Sequence, residues 1–138
     1  MNSKLQPNWQ PIKNMSMIAN LIDSQLIDAK EQYITLSEAR NKPYVLNDPI
    51  VQRTIKVYTE QLDFTRVFEK QLLKWEKEEY LKPIQQIEIC RLQKQVKQSY
   101  KTLTDILDLS EELKSGTIEK VMEKSDLELG IESLKKYF

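Results

Sequence analysis

The chain has 138 residues, with 21 Lys and Arg balanced by 21 Asp and Glu, five Pro, two Gly, one Cys and no His. Lacking histidine, it has no His-based triad, His-ligated zinc or haem, or imidazole proton shuttle, and a single Cys makes neither an internal disulfide nor a CxxC site. Gly116 and Gly130 alone cannot build a glycine-rich phosphate loop, and so few turn-forming residues imply long helices.

Residues 1–14 carry Pro7, Trp9 and Pro11 among polar residues and read as an extended N-terminal arm, with Trp9 docking on the helices. Residues 15–138 read as a single helical-bundle domain. The first helix is expected over about 16–40, where Ile18, Ile22, Leu26, Ala29, Tyr33 and Leu36 recur at spacings of four and three, one apolar stripe. Ile27 and Ile34, seven apart, fall nearly opposite that stripe and are candidate interaction residues.

Asn41-Lys42-Pro43 stops this helix, because the residue before proline disfavours helical backbone. Asp48 followed by Pro49 marks the next start, the aspartate as N-cap and the proline in the first position, where its missing N–H costs nothing. The second helix is expected over about 49–79. At ~1.5 Å per residue it is roughly 46 Å long, while a sphere of this chain length has a diameter of roughly 37 Å, so the molecule must be elongated. Val51, Ile55, Tyr58, Leu62 and Leu73 share one edge of the wheel; Ile50, Val57, Phe64, Phe68 and Trp75 share another. An apolar arc wider than the ~100° of a surface helix predicts that this helix is central, with its aromatics in the core. Glu69 falls among Leu62 and Leu73, Glu76 follows a heptad later, and Glu79 is close by. A carboxylate on an apolar edge must be paired: either these acids meet Lys or Tyr, or they hold Mg²⁺ for phosphate chemistry.

The third helix is expected over about 83–114, opened by Pro83 and closed by Ser115-Gly116, with Ile89, Leu92, Val96, Tyr100, Leu103 and Leu107 as its seam. Two short helices follow, about 118–124 and 126–136. Ser125 with Glu128 forms a capping box for the second of these, whose Leu127, Ile131 and Leu134 make it amphipathic.

On the back of the third helix Lys94, Lys97 and Lys101 precede Asp105, Asp108 and Glu112. The order opposes the helix dipole, which favours acids first. Two antiparallel copies would set each basic end against an acidic one, which motivates a homodimer. The basic half with Arg91 offers a nucleic-acid alternative, but zero net charge and the acids from Asp105 onward disfavour it. Cys90, on the same face and without a histidine base, reads as an inert, partly covered thiol.

The expected fold is all-α: an elongated antiparallel up-down-up bundle of three long helices with a short C-terminal helical segment. No catalytic, cofactor-binding or metal-binding constellation is found. The expected function is a non-enzymatic protein–protein interaction module that self-associates as a homodimer or binds another protein. The alternatives are a nucleic-acid-associated protein using the third helix and a Mg²⁺-dependent phosphohydrolase using Glu69, Glu76 and Glu79. No window approaches the ~20 apolar residues of a membrane span, and the lone thiol with an N-terminal arm devoid of an apolar core suits the cytoplasm.

Overall fold

Proline-bearing connections divide the chain where the sequence predicts. A computed structural model describes residues 8–135, the side chains of 124–127, 129 and 132–135 excepted. Its long elements are α1 (Met15–Glu38), α2 (Asp48–Glu76), α3 (Pro83–Leu113) and α4 (Ile118–Lys135). Single 3-10 turns at Ile12–Asn14, Pro43–Val45 and Lys114–Gly116 join or precede them, and the described residues contain no strand.

The helix ends differ from expectation for local reasons. Asn47, not Asp48, is the N-cap of α2: it is extended and its side chain accepts the Ile50 N–H at 2.9 Å. Asp48 is already helical, and its carboxylate is engaged by the Thr117 hydroxyl and by Lys120 Nζ at 3.5 Å. The second helix ends at Glu76, three residues early, because 77–82 form the approach to Pro83. There the Gln85 side chain accepts the Lys82 N–H at 2.9 Å and closes the first turn of α3.

At the C-terminal end, one helix stands where two short ones were expected. Ser125 with Glu128 starts nothing new, because a capping residue must sit in extended backbone and no breaker lies between Ile118 and Ser125 to take the chain out of the helix. Leu127 and Leu134, expected on its apolar stripe, have side chains outside the described set.

The three long helices run up, down and up. The pairs Asp23–Arg91, Lys30–Gln98 and Arg40–Glu112 climb together, so α1 and α3 are parallel. Glu76–Gln93 and Glu69–Tyr100 run in opposite directions, so α2 is antiparallel to α3. The central helix is α3, not α2: it packs along both neighbours, while α1 and α2 meet over a much smaller surface. The reason lies in small residues. α3 buries Ser99 and Ser110 as well as Leu92, Leu103, Ile106 and Leu113, so its covered arc is wide, although a count of large apolar residues understates it. On α2 the greasy outer positions stay wet instead. Phe64 is 51% exposed and Ile50 is exposed too, so the expectation of a wholly buried aromatic set fails at Phe64.

The core has two apolar halves. One gathers Met15, Ile18 and Ile22 of α1, Leu72 and Trp75 of α2, and Ile89, Leu92 and Val96 of α3. The other gathers Ala29 and Leu36 of α1 with Leu103, Ile106, Leu109 and Leu113 of α3, against half-buried Tyr58 and Leu62. A polar layer marks the middle: the buried Thr65 hydroxyl lies 2.8 Å from the Gln61 carbonyl and 3.1 Å from Gln25 Oε1, and Gln25 Nε2 donates to the Gln61 carbonyl at 3.3 Å. Buried polar groups of this kind fix register, because a slipped helix would leave them unpaired in an apolar layer.

The N-terminal arm, described from Asn8 onward, lies against the end of α2. The Gln10 N–H donates to Gln71 Oε1 at 2.7 Å, Trp75 Nε1–H donates to the Gln10 carbonyl at 2.9 Å, and Lys74 Nζ stands 5.0 Å from the centre of the Trp9 ring.

At the opposite end α4 is clasped to the α1–α2 connection. The Ile118 N–H donates to the Leu46 carbonyl at 2.8 Å and Glu119 Oε2 accepts the Asp48 N–H at 3.0 Å. Gly116 makes this close approach possible. Its φ is not positive, so its role is space: a Cβ there would lie 2.6 Å from Pro43 Cγ. Gly116→Ala is expected to destabilise the protein by about 1–2 kcal/mol, overpacking against a rigid ring outweighing the entropic gain of alanine. Urea unfolding checks it.

Candidate functional site

Leu72 and Leu73 are adjacent on α2 and point to different sides of it. Leu72 is buried against α3, whereas Leu73 is 44% exposed and stands at the mouth of a groove between the two helices. On α3, spacings of three and four bring Gln93, Val96 and Tyr100 to the groove floor and Cys90, Lys94 and Lys97 to its far wall. The groove has a volume of about 350 Å³. It opens on the side of α2–α3 that α1 does not line.

Glu69 sits on the rim. It was expected on a covered apolar edge, but that edge faces the groove mouth, so Glu69 is exposed and accepts the Tyr100 hydroxyl at 3.3 Å. Burial, with the Glu69 carboxylate beside it, raises the Tyr100 phenol above its ordinary range. Glu76 accepts Gln93 Nε2 at 2.8 Å, and Glu79 borders a second, shallower depression with Glu76 and Glu78. Among the described residues, no three His, Cys, Asp or Glu side chains are grouped to hold a metal ion. The three acids are thus strung along a helix end rather than focused on one point.

The charged back of α3 is divided by its neighbours. Lys101 pairs with Asp105 one turn on at 3.0 Å, and Glu112 reaches across to Arg40 at 3.0 Å. Lys94, Lys97 and Asp108 are exposed, and none has an ion-pair partner within 4.0 Å among the described residues. Arg91 does not join the basic run. It turns to α1, donating from Nη1 and Nη2 to the two Asp23 oxygens at 3.1 and 2.9 Å and from Nε to Glu88 at 2.7 Å. Ile27 and Ile34 are exposed on α1, and neither lines the groove. Cys90 is exposed on the groove wall rather than partly covered.

The Arg91 hydrogen bond holds the Asp23 carboxyl below its ordinary range, with Gln95 assisting and partial burial opposing. A depressed carboxylate stabilises the fold in full above its unfolded value of ~3.9, and that contribution is lost as pH falls through the lower folded value. Asp23→Asn is therefore expected to be less stable than the parent at neutral pH, by under about 1 kcal/mol because solvent screens the pair. The gap should close on acidification below about pH 4. Paired urea titrations across pH check this.

The groove could not be found from periodicity alone. Two adjacent leucines on one helix are a usable signal, because they cannot both face one neighbour, but which faces solvent depends on where α1 lies. Among the described residues, no helix is long and apolar enough to cross a membrane. Compared with family models, curated proteins and solved structures, the chain finds no match in any of the three.

Proposed function

We propose that this protein is a non-enzymatic interaction module that associates with a second copy of itself. The observation that carries the reading is the α2–α3 groove: a concave strip floored by Leu72 and Val96, open beside exposed Leu73, and walled by lysines whose charges have no carboxylate partner within 4.0 Å among the described residues. Such a strip matches the helix-in-groove mode, in which one helix lays its apolar face between two others. Nucleic-acid binding is the poorer reading, because Arg91 and Lys101, two of the four bases it needs, are engaged by carboxylates.

Light scattering on the intact chain tests it. A mass of twice 16.4 kDa is expected, with dissociation on dilution into the low micromolar range, about 8 kcal/mol of association free energy. A mass of 16.4 kDa persisting at about 100 µM, some 5.5 kcal/mol at most, overturns the reading.

A further inference from the structure

Among the described residues, the ties that hold α4 lie at its start. Thr117, Ile118, Glu119 and Lys120 are tied to Leu46 and Asp48, whereas every described side chain beyond them is exposed, among them Met122 at 60%, Glu128, and Ile131 at 46%. Nothing lies within 4 Å of the place a Cβ would take at Gly130. A helix that leaves apolar residues wet along its length is one half of an interface.

Its chemistry complements the groove. Over residues 125–134 the sequence reads SDLELGIESL, with Asp126, Glu128 and Glu132, four leucine or isoleucine residues and no base. The groove offers Leu72 and Val96 on its floor beside Gln93 and Tyr100 and, on its α3 wall, the exposed Lys94 and Lys97; its one rim acid, Glu69, is already held by Tyr100. An acidic, leucine-rich helix entering that strip would cover its own apolar residues and give both lysines a counter-charge.

We infer that the occupant of the α2–α3 groove is α4 of a second copy of this chain, so that two molecules exchange their C-terminal helices. This rests on the self-association proposed above and names the segment responsible. Exchange gives two identical helix-in-groove contacts about a two-fold axis, a closed arrangement that does not propagate into fibres.

The chain's single cysteine makes the inference directly testable, because Cys90 lies in the groove. Ile131→Cys in the full chain, mildly oxidised and digested, is expected to yield a disulfide between positions 90 and 131 that joins two chains, since such a bond forms only where Cα atoms come within about 7 Å. In parallel, reversing Lys94 and Lys97 to Glu should weaken the parent dimer about tenfold or more, and adding Asp126→Lys and Glu128→Lys should recover affinity. The same 90–131 bond formed within one chain overturns the exchange, because α4 then folds onto its own groove. A dimer with no 90–131 linkage and no response to charge reversal overturns the inference while leaving self-association standing. A parent chain that stays monomeric removes both.

Discussion

Trp75→Ala is expected to cost about 3–5 kcal/mol of stability, a large part of the roughly 5–15 kcal/mol that holds a domain of this size folded. Trp75 is 1% exposed and packs in the cluster that joins the start of α1, the end of α2 and the start of α3. It also donates its indole N–H to the Gln10 carbonyl, so truncation removes core volume and releases the arm together. Trp75→Phe separates the two: most of the ring remains, while loss of the hydrogen bond costs about 1 kcal/mol. The chain's other tryptophan, Trp9, provides the readout. Its emission should shift to the red in both variants as the arm loosens, whereas the large loss of urea resistance should appear only with alanine.

Leu92→Ala should be nearly as damaging, at about 2–5 kcal/mol, because Leu92 is fully buried at the centre of the same cluster. The informative comparison is Phe64→Ala on α2. A central α2 would make Phe64 the costlier loss, since phenylalanine fills more core than leucine. With α3 central and Phe64 half in solvent, its truncation should cost about 1 kcal/mol or less. Denaturation midpoints of the two variants, taken side by side, decide which helix the bundle is built around.

The apolar stripe of α1 was legible residue by residue: Ile18, Ile22, Leu26, Ala29 and Leu36 are all buried, as their spacing of three and four requires. The seam of α3 was legible at Ile89, Leu92, Val96 and Leu103, with Tyr100 half-buried, but not at its end, where Ile106, Leu109 and Leu113 are buried and the expected Leu107 is only half-covered. Pro43, Pro49 and Pro83 marked the connections because proline restricts its own backbone and that of the residue before it. The neighbour relations were not legible. Ser99, Ser110 and Ala19 are buried residues with little hydrophobic signal, yet small side chains are what allow helix axes to approach closely. Counting bulk therefore favoured α2 as the middle helix.

For the candidate site the balance is different. The sequence singled out Glu69, Lys94 and Lys97 as unusual, and all three line one groove. It assigned them to separate stories, the acids Glu69, Glu76 and Glu79 of the second helix and a charged stripe on the third, because nothing in a linear pattern says which faces of two helices meet. Arg91 makes the same point in reverse. By spacing it belongs with the lysines, yet its reach across to Asp23 makes it part of the α1–α3 contact.

The sequence by itself determined that the chain is helical, where its three longest helices begin and end to within a few residues, and which stripe of α1 and which seam of α3 as far as Leu103 are hidden. Those properties follow from local sterics and from a 3.6-residue repeat acting within one segment. Only the tertiary structure decided that α3 is the middle helix, that Phe64 and Leu73 remain wet, and that Glu69 of α2 shares a groove with Lys94 and Lys97 of α3. Each of those depends on how near a second helix can come, which is set by the smallest residues at the contact and leaves almost no trace in hydrophobic periodicity.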